Sequence, residues 1–195
     1  TLSSREALEK ITPKCFIYNE FDVCVIENLI NVAKHCVEIG KPRKILLFLD
    51  DCLANKQHMS SNAIREIFLN GRHYKISTIV CCQYLYDLNT SIRSNVDYVF
   101  CLRESNPQNK KKLFQTFGGM FSSEKDFCEM LTRTTNDFEC LCIDLTVNSM
   151  DPLDAISWYK ADIDLPTFRV GKSFFFQIDR QFRKHNHETQ LDENR

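Results

Sequence analysis

Two adjacent carboxylates follow the most apolar segment of the sequence. Residues 44–51 read Lys-Ile-Leu-Leu-Phe-Leu-Asp-Asp, so Asp50 and Asp51 stand where a buried strand is predicted to end. Nucleotide hydrolysis uses one carboxylate in the shell of a magnesium ion and another to orient or deprotonate the attacking water. Because consecutive strand residues face opposite ways, Asp50 is the candidate for the metal and Asp51 for the water. The alternative, an acid that merely caps the following turn, stays open.

A neutral amide follows the next apolar segment. Gln83 comes directly after Ile76–Cys82, a second run typical of a buried strand. An amide both donates and accepts hydrogen bonds, which suits a side chain that senses a γ-phosphate and positions water. The same group could instead bond to carbonyl groups of the surrounding loop.

Two arginines precede predicted strands. Arg93 lies in Ser-Ile-Arg-Ser-Asn before the third apolar run, and Arg72 lies in Gly-Arg-His before the second. A guanidinium keeps its charge and binds phosphate oxygens in pairs, so either residue could act as an arginine finger. Either could equally be a surface salt-bridge partner.

The elements that would position these residues alternate along the chain. Strands are predicted at Thr12–Tyr18, Lys44–Leu49, Ile76–Cys82, Val96–Leu102 and Phe138–Leu145, and helices after Asp22, Ser60 or Ser61, Asn106, and Ser122 or Ser123. This alternation predicts an α/β domain with a mostly parallel sheet, in which ligands bind beyond the carboxyl ends of the strands. We expect a folded core over residues 1–178 and a disordered polar tail over residues 179–195.

Composition narrows the class of protein. The net charge is −1, so no overall basic field indicates a nucleic-acid partner. The longest apolar run, Ile45–Leu49, is too short for a membrane span. The ten cysteines stand mostly in apolar segments, Cys81, Cys82, Cys101, Cys140 and Cys142 among them, and we interpret them as reduced core thiols of a cytosol-like compartment.

The order of these blocks resembles a known family. KILLFLDD, NGRHYKISTIVCCQ and SIRSNVDYVFCLRE, in that order, are similar to the genome-packaging ATPases of large DNA viruses, the poxvirus-type members of the HerA/FtsK superfamily of P-loop motors. The resemblance covers about Thr12 to Leu145. The block GRHYKIS, followed by an apolar strand and Gln, is its most specific part.

The resemblance implies a function and a set of roles. It implies a RecA-like P-loop NTPase sheet and an ATP-driven translocase of double-stranded DNA, working with Mg²⁺ as a homo-oligomeric ring. Capsid components would be its partners, and the host cytoplasm or the virion its location. It makes Asp50 the magnesium-shell carboxylate, Asp51 the catalytic carboxylate, Gln83 the sensor, Arg93 the first candidate for a finger acting in trans, and Arg72 the second. Many superfamily members carry Glu at the position of Asp51.

The phosphate-binding loop of the family is absent from these residues. G-x-x-x-x-G-K-[ST] occurs nowhere, and Gly171-Lys172-Ser173 is preceded at the required position by Pro166 rather than Gly. The pattern of Phe174–Phe176 is more typical of a strand than of the start of a phosphate-binding helix, so we interpret the Gly-Lys-Ser triplet as a chance match to the motif.

The missing loop leads to a structural expectation. In the family, the P-loop strand lies between the strand ending at Gln83 and the strand Val96–Leu102, so this sequence should leave two strand edges unpaired and apolar faces exposed. We expect a fragment, completed by an upstream segment and inactive alone. The alternatives are a degenerate, non-catalytic homologue acting as an assembly or regulatory partner, and a helicase or conjugation-type motor.

Overall fold

The computed structural model describes residues 2–51, 58, 60–83, 90–149 and 151–181, which form an α/β fold. Its helices are α1 Leu2–Ile11, α2 Val23–Glu38, α3 Asn62–Asn70, α4 Thr90–Arg93, α5 Pro107–Phe117, α6 Glu124–Arg133 and α7 at residues 173–181, and its strands are β1 Ile45–Asp50, β2 Ile76–Cys81, β3 Tyr98–Cys101, β4 Glu139–Asp144 and β5 Ile156–Lys160. Short 3₁₀ turns occur at Lys14–Phe16 and Pro152–Ala155. The chain divides into two compact units, residues 22–162 and residues 1–21 with 163–195.

The unit that joins both ends of the sequence contains no strand among its described residues. The strand predicted at Thr12–Tyr18 is wrong, because the segment turns back on itself: the Phe16 amide donates to the Pro13 carbonyl at 3.0 Å. The Cys15 amide donates instead to the Asp179 carboxylate, at 3.0 Å. The segment is therefore held by a local turn and a side chain rather than by a neighbouring strand.

Helix α7 corrects the reading of the Phe174–Phe176 segment as strand-like. Residues four apart lie on the same side of a helix, so Phe175 and Asp179 face the same way. Phe175 packs against Phe16, with ring centroids 5.2 Å apart, and Asp179 accepts from the Cys15 amide. Asp179 is buried. The expected start of the polar tail at residue 179 falls inside this helix, while residues 182–195 lie outside the described residues.

Two separate sheets form the larger unit. β1 and β2 pair in parallel, with the register running from Ile45 opposite Ile76 to Asp50 opposite Cys81. β3, β4 and β5 form an antiparallel sheet in that order. The predicted mostly parallel sheet is therefore found only at β1 and β2 in the part of the chain that the structure describes. The last predicted strand, Phe138–Leu145, forms β4, which does not run parallel to the others but pairs antiparallel with β3.

Side-chain caps start the helices where the sequence predicts. The Asp22 carboxylate accepts from the Cys24 amide at 2.8 Å and begins α2. Ser61 caps α3, Ser123 caps α6, and Asn106 caps α5 with Pro107 in its first turn. Each cap binds an amide that the first turn of a helix leaves without a partner, so these four helix starts are confirmed.

Each sheet buries one face under helices. Behind β3 and β4, the buried cluster contains Cys101, Phe117, Phe127, Leu131, Leu141 and Ile143. The β1–β2 side buries Leu49, Ile64, Ile67 and Ile76. Both layers thus place a sheet against amphipathic helices, which is how an α/β domain removes apolar side chains from water.

The opposite faces of the sheets are exposed, which corrects two expectations. β1 alternates between exposed and covered residues, with Leu46 52% and Phe48 43% exposed, so it is not buried on both faces. Cys81 and Cys82 are exposed rather than core thiols, whereas Cys101 and Cys140 are buried. For β1 and Cys81 the reason is that no described element covers that face of the sheet, whereas Cys82 lies one residue beyond the end of β2.

Candidate functional site

Asp50, Asp51 and Gln83 converge at one edge of the parallel sheet. Asp50 stands opposite Cys81 in the register, and the Asp51 amide donates to the Cys81 carbonyl at 3.2 Å. Gln83 lies two residues beyond Cys81, and all three side chains are exposed. The carboxyl ends of two parallel strands thus bring two carboxylates and an amide to the place where α/β sheets bind ligands.

Asp51 leaves the strand through an unusual backbone conformation. Its φ is 50°, in the left-handed region that Asp tolerates better than most residues. β1 ends at Asp50, so the turn at Asp51, rather than the alternation of strand side chains, sets the direction of the Asp51 carboxylate. The left-handed conformation of Asp51 could not be predicted from the sequence, because residue type alone does not specify it.

Asp50 belongs to the exposed face of β1. The register puts its side chain on the same face as Cys81, and the pKa of the Cys81 thiol is raised by burial and, in second place, by the Asp50 charge. Mg²⁺ commonly takes only one or two protein carboxylates and completes its shell with phosphates and water. Among the described residues no cluster of three or more His, Cys, Asp or Glu side chains could hold a metal ion.

Arg93 ends the short helix α4. Its Nη2 donates to the Thr90 hydroxyl at 3.2 Å, and its Nε is buried without a hydrogen-bond partner. The neighbouring Ile92 is 1% exposed and anchors the helix. Residues 84–89, which connect Gln83 to this helix, lie outside the described residues.

Arg72 forms an ion pair with Asp97, the residue before β3. It lies in the turn Gly71–Lys75, which feeds the amino end of β2, so it stands at the opposite end of that strand from Gln83. A strand of six residues is about 20 Å long. The ordinary salt-bridge role that the sequence left open for Arg72 is thus present in the structure.

Arg72 lies away from the edge of the sheet that carries Asp50, Asp51 and Gln83, which we call the acidic edge. Arg93 is four residues before Asp97 in the sequence, so the two Cα atoms are at most about 14 Å apart. Asp97 in turn stands at the amino end of β3, in contact with Arg72. Arg72 is therefore linked to the amino ends of the strands, while Asp50, Asp51 and Gln83 occupy the carboxyl ends.

The block GRHYKIS owes its sequence largely to this turn. A Cβ on Gly71 would lie 2.4 Å from the Ile67 carbonyl oxygen, so only glycine fits without a shift. The Tyr74 hydroxyl donates to Glu66 at 2.8 Å, and the Lys75 carbonyl accepts from the Ile45 amide at 3.0 Å. The turn therefore connects α3 to the start of both parallel strands.

A polar network around Glu66, which was not predicted from the sequence, holds the turn Gly71–Lys75 against α2 and α3. Glu66 accepts from Lys34 at 3.0 Å and from Asn70 at 3.1 Å, in addition to Tyr74. The hydrogen bond from Lys34 is the main reason that the pKa of Glu66 is lowered. Residues 66, 70 and 74 follow a four-residue spacing that could have indicated the network, but Lys34 on α2 could not be placed from sequence.

No helix in the described parts of the chain combines the length and the apolar character that crossing a bilayer requires.

Relatives of the chain occur in large DNA viruses. It is 35% identical over 151 residues to the uncharacterized protein 075L of Invertebrate iridescent virus 6, covering 77% of this chain and 57% of that protein. It is 31% identical over 159 residues to the uncharacterized protein L437 of Acanthamoeba polyphaga mimivirus, covering 76% and 56%. The chain thus spans a little over half the length of these relatives.

Solved structures of a viral packaging enzyme share the fold. The genome packaging NTPase B204 of Sulfolobus turreted icosahedral virus 2 matches with a TM-score of 0.52 in complex with AMP, at 16% identity, over 75% of this chain and 66% of that one. Its complex with AMPPCP matches with a TM-score of 0.51, at 17% identity, over 73% and 63%. At this identity the likeness concerns the fold alone.

The sequence profile of the family described as Poxvirus A32 protein matches residues 16–136, which is more than half of the chain and includes Asp50, Asp51, Gln83 and both arginines. The chain therefore belongs to the Poxvirus A32 protein family.

Proposed function

We propose that this chain is the catalytic part of an ATP-driven motor that translocates double-stranded DNA into viral capsids. The observation that carries the proposal is the convergence of Asp50, Asp51 and Gln83 at the carboxyl ends of two paired parallel strands. Membership of the Poxvirus A32 protein family and the fold shared with a genome packaging NTPase support it. The motor would work as a homo-oligomeric ring with capsid components, in the host cytoplasm or the virion.

The side chains at this edge have distinct roles in hydrolysis. Asp50 would hold the shell of a magnesium ion, which would neutralise charge on the phosphates. Asp51 orients the attacking water and accepts its proton, and the Gln83 amide bonds to the γ-phosphate and to the water. The exposed position of all three leaves room for a nucleotide between them and a further element.

The finger role falls to an arginine of a neighbouring subunit. Arg72 is bound to Asp97 at the other ends of the strands, away from the acidic edge of its own subunit. Arg93, whose Nε lacks a hydrogen-bond partner, is the first candidate for trans action. Arg72 is the second, and it would have to leave Asp97 to act.

The sheet is completed by a strand carrying the phosphate-binding loop. Among the described residues, β2 and β3 each have one neighbouring strand and one open edge. A parallel strand between them would give the RecA-like order and would bring a phosphate-binding loop beside Asp50 and Gln83. The longer relatives have room for such a segment outside the matched region.

The alternative is a degenerate homologue that binds the packaging machinery without hydrolysing ATP. It is favoured by the absence of G-x-x-x-x-G-K-[ST] from the 195 residues. The acidic edge would then be a remnant, and Asp50 would serve only the local fold.

The test is Asp51→Asn in the full-length protein. Loss of the water-orienting charge should reduce turnover at least a hundredfold while ATP binding, measured by a fluorescent analogue, stays within about twofold. Asp144→Asn is the matched control, since Asp144 also ends a strand but only caps a turn, accepting from the Thr146 amide at 2.8 Å. Near-normal turnover of Asp51→Asn would move the base to another carboxylate, and a full-length protein that hydrolyses no ATP would favour the degenerate homologue.

A further inference from the structure

The turn that carries Arg72 has a closely determined backbone. The Gly71 carbonyl accepts from the amides of Tyr74 and Ile76, at 3.0 and 2.9 Å. The Arg72 carbonyl accepts from the Lys75 amide at 3.2 Å. Lys75 has a left-handed φ of 61°, which a residue other than glycine keeps only where its surroundings determine it. The turn as a whole thus sets the direction of the backbone at Arg72.

Tyr74 ties this turn to two helices. Its hydroxyl donates to Glu66 on α3 at 2.8 Å, and Glu66 also binds the Lys34 ammonium on α2 at 3.0 Å. The Lys34 Nζ lies 4.9 Å from the centroid of the Tyr74 ring, within the range of a cation–π contact. We call Lys34, Glu66 and Tyr74 the Glu66 network. Its members contact one another in pairs, and hydrogen bonds to charged groups are stronger than those between neutral groups.

The Glu66 network keeps its charges and its hydroxyl donor at neutral pH. The hydrogen bond to Glu66 is the main reason that the pKa of Lys34 and the pKa of Tyr74 are both raised. The ammonium therefore stays charged and the hydroxyl stays protonated. The pKa of Glu66 is lowered, mainly by the hydrogen bond from Lys34, so this carboxylate stays ionised.

Arg72 is the exposed member of the anchored turn. Its side chain is 73% exposed, while the neighbouring Gly71 is buried. Its partner is Asp97, and exposed ion pairs are weak and screened by salt. The guanidinium can therefore exchange Asp97 for phosphate oxygens, which it binds in pairs, at little cost. A fixed backbone under an exposed guanidinium limits the positions that this group can reach before a phosphate arrives.

We propose that Lys34, Glu66 and Tyr74 position Arg72 to reach a nucleotide bound by a neighbouring subunit. They act through the backbone of the turn, so they are positioning residues rather than catalytic ones. The inference rests on the proposed function, because Arg72 acts as a finger only where a neighbouring subunit hydrolyses ATP. It goes further by giving a role to three residues outside the acidic edge, and it does not depend on the role of Arg93.

Tyr74→Phe isolates the effect, because it removes the hydroxyl that binds Glu66 and keeps the ring beside Lys34. A misplacement of about 1 Å costs about a hundredfold in rate, and removal of a finger costs about a thousandfold or more. We therefore expect kcat to fall about ten- to a hundredfold. The KM for ATP should stay within about twofold, because a finger stabilises the transition state more than the ground state.

Glu66→Ala should show the same division between kcat and KM. Adding Tyr74→Phe to it should cause no further fall in kcat, because both changes remove the same hydrogen bond. Losses that multiply in the double variant would show two independent effects and would overturn the role of Glu66 in positioning Arg72.

Mixing subunits distinguishes a positioning role from damage within the same subunit. The full-length Tyr74→Phe protein keeps an intact acidic edge, so an excess of Asp51→Asn subunits should supply it with a correctly placed finger. Turnover per Tyr74→Phe subunit should rise to within about twofold of that of the parent mixed with the same excess. A fall in kcat that mixing does not restore would overturn the positioning role.

Tyr159→Phe is the matched control. It removes the hydroxyl of an exposed tyrosine on β5, in the other sheet, and should leave kcat and KM unchanged. A fall in kcat as large as that of Tyr74→Phe would show that loss of any such hydroxyl is enough, and would count against the Glu66 network.

Amide hydrogen exchange separates this inference from the proposed function. The Tyr74 and Lys75 amides bond within the turn and should exchange faster in Tyr74→Phe than in the parent, whether or not ATP is hydrolysed. Equal exchange, or parental kcat in the variant, overturns the positioning role, while an active parent leaves the proposed function standing. A full-length parent that hydrolyses no ATP refutes the proposed function and, with it, the placing of a finger, even if the exchange of the turn changes.

Discussion

Replacing Gly71 by alanine should disturb the turn that begins β2. The added Cβ would lie 2.4 Å from the carbonyl oxygen of Ile67 and 3.3 Å from that of Ile76. Both are backbone atoms that take part in the fold, since the Ile67 carbonyl accepts from the Gly71 amide at 2.8 Å at the end of α3. The clash cannot be relieved by rotating a side chain, so the turn itself has to move.

The size of the effect follows from the kind of clash. Gly71 has a right-handed backbone that alanine can adopt, so no conformational strain is added and the cost is steric. Forcing extra atoms into a close-packed site costs about 1–3 kcal/mol. In a chain of this size, about 2 kcal/mol lowers the melting temperature by roughly 4–8 °C. Because the turn also carries Arg72, the ion pair with Asp97 should weaken together with the fold.

Urea unfolding followed by circular dichroism measures the change in the free energy of unfolding. Gly119→Ala is the control, because nothing lies within 4 Å of its added Cβ and its backbone has no positive φ. That variant should be neutral or slightly more stable, since alanine reduces the entropy of the unfolded chain. Equal stability of the two variants would refute the assignment of Gly71 to a sterically closed turn.

Three further outcomes are expected. The Arg93→Ala variant of the full-length protein should lose most of its ATP turnover. Mixing it with Asp51→Asn subunits should restore part of the turnover, because one partner supplies the finger and the other an intact site. A monomeric protein that shows no complementation in ATPase assays would contradict trans action. Phe127→Ala should lower the free energy of unfolding, measured with urea, by about 3–5 kcal/mol, because this ring is fully buried against Phe114 and Phe121. A decrease below about 1 kcal/mol would contradict that packing. The free energy of unfolding should fall between about pH 9 and pH 12, because burial raises the pKa of the Cys101 thiol from 9.0 to about 12. In that range the unfolded state holds fewer protons than the folded state. For this thiol the free energy of unfolding falls by at most about 1.4 kcal/mol per pH unit. Unfolding curves at pH 8 and pH 10.5 should show a smaller fall for Cys101→Val than for the parent. An unchanged fall would assign the alkaline loss of stability to other groups.

Sequence reasoning located the acidic edge because its signals are local. An apolar run that ends in Asp50 and Asp51 predicts a strand with two carboxylates at its end, and β1 and β2 pair in parallel as expected. The helix starts at Asp22 and Asn106 were equally readable, since a cap and the amides it binds lie within three residues of each other. Such features depend on neighbours in the chain, which a sequence states directly.

The amino-acid sequence thus predicted four helix starts, the strands β1 to β4 and the residues that reach the carboxyl ends of β1 and β2. Three features are visible only in the structure: β4 runs antiparallel to β3, one face of β1 is exposed, and Arg72 is bound to Asp97. These outcomes depend on contacts between residues far apart in the chain, and neither periodicity nor residue type specifies which distant partner is present. An apolar strand on an uncovered face of a sheet has the same sequence pattern as a strand buried on both faces, so the pattern does not predict which of the two is exposed.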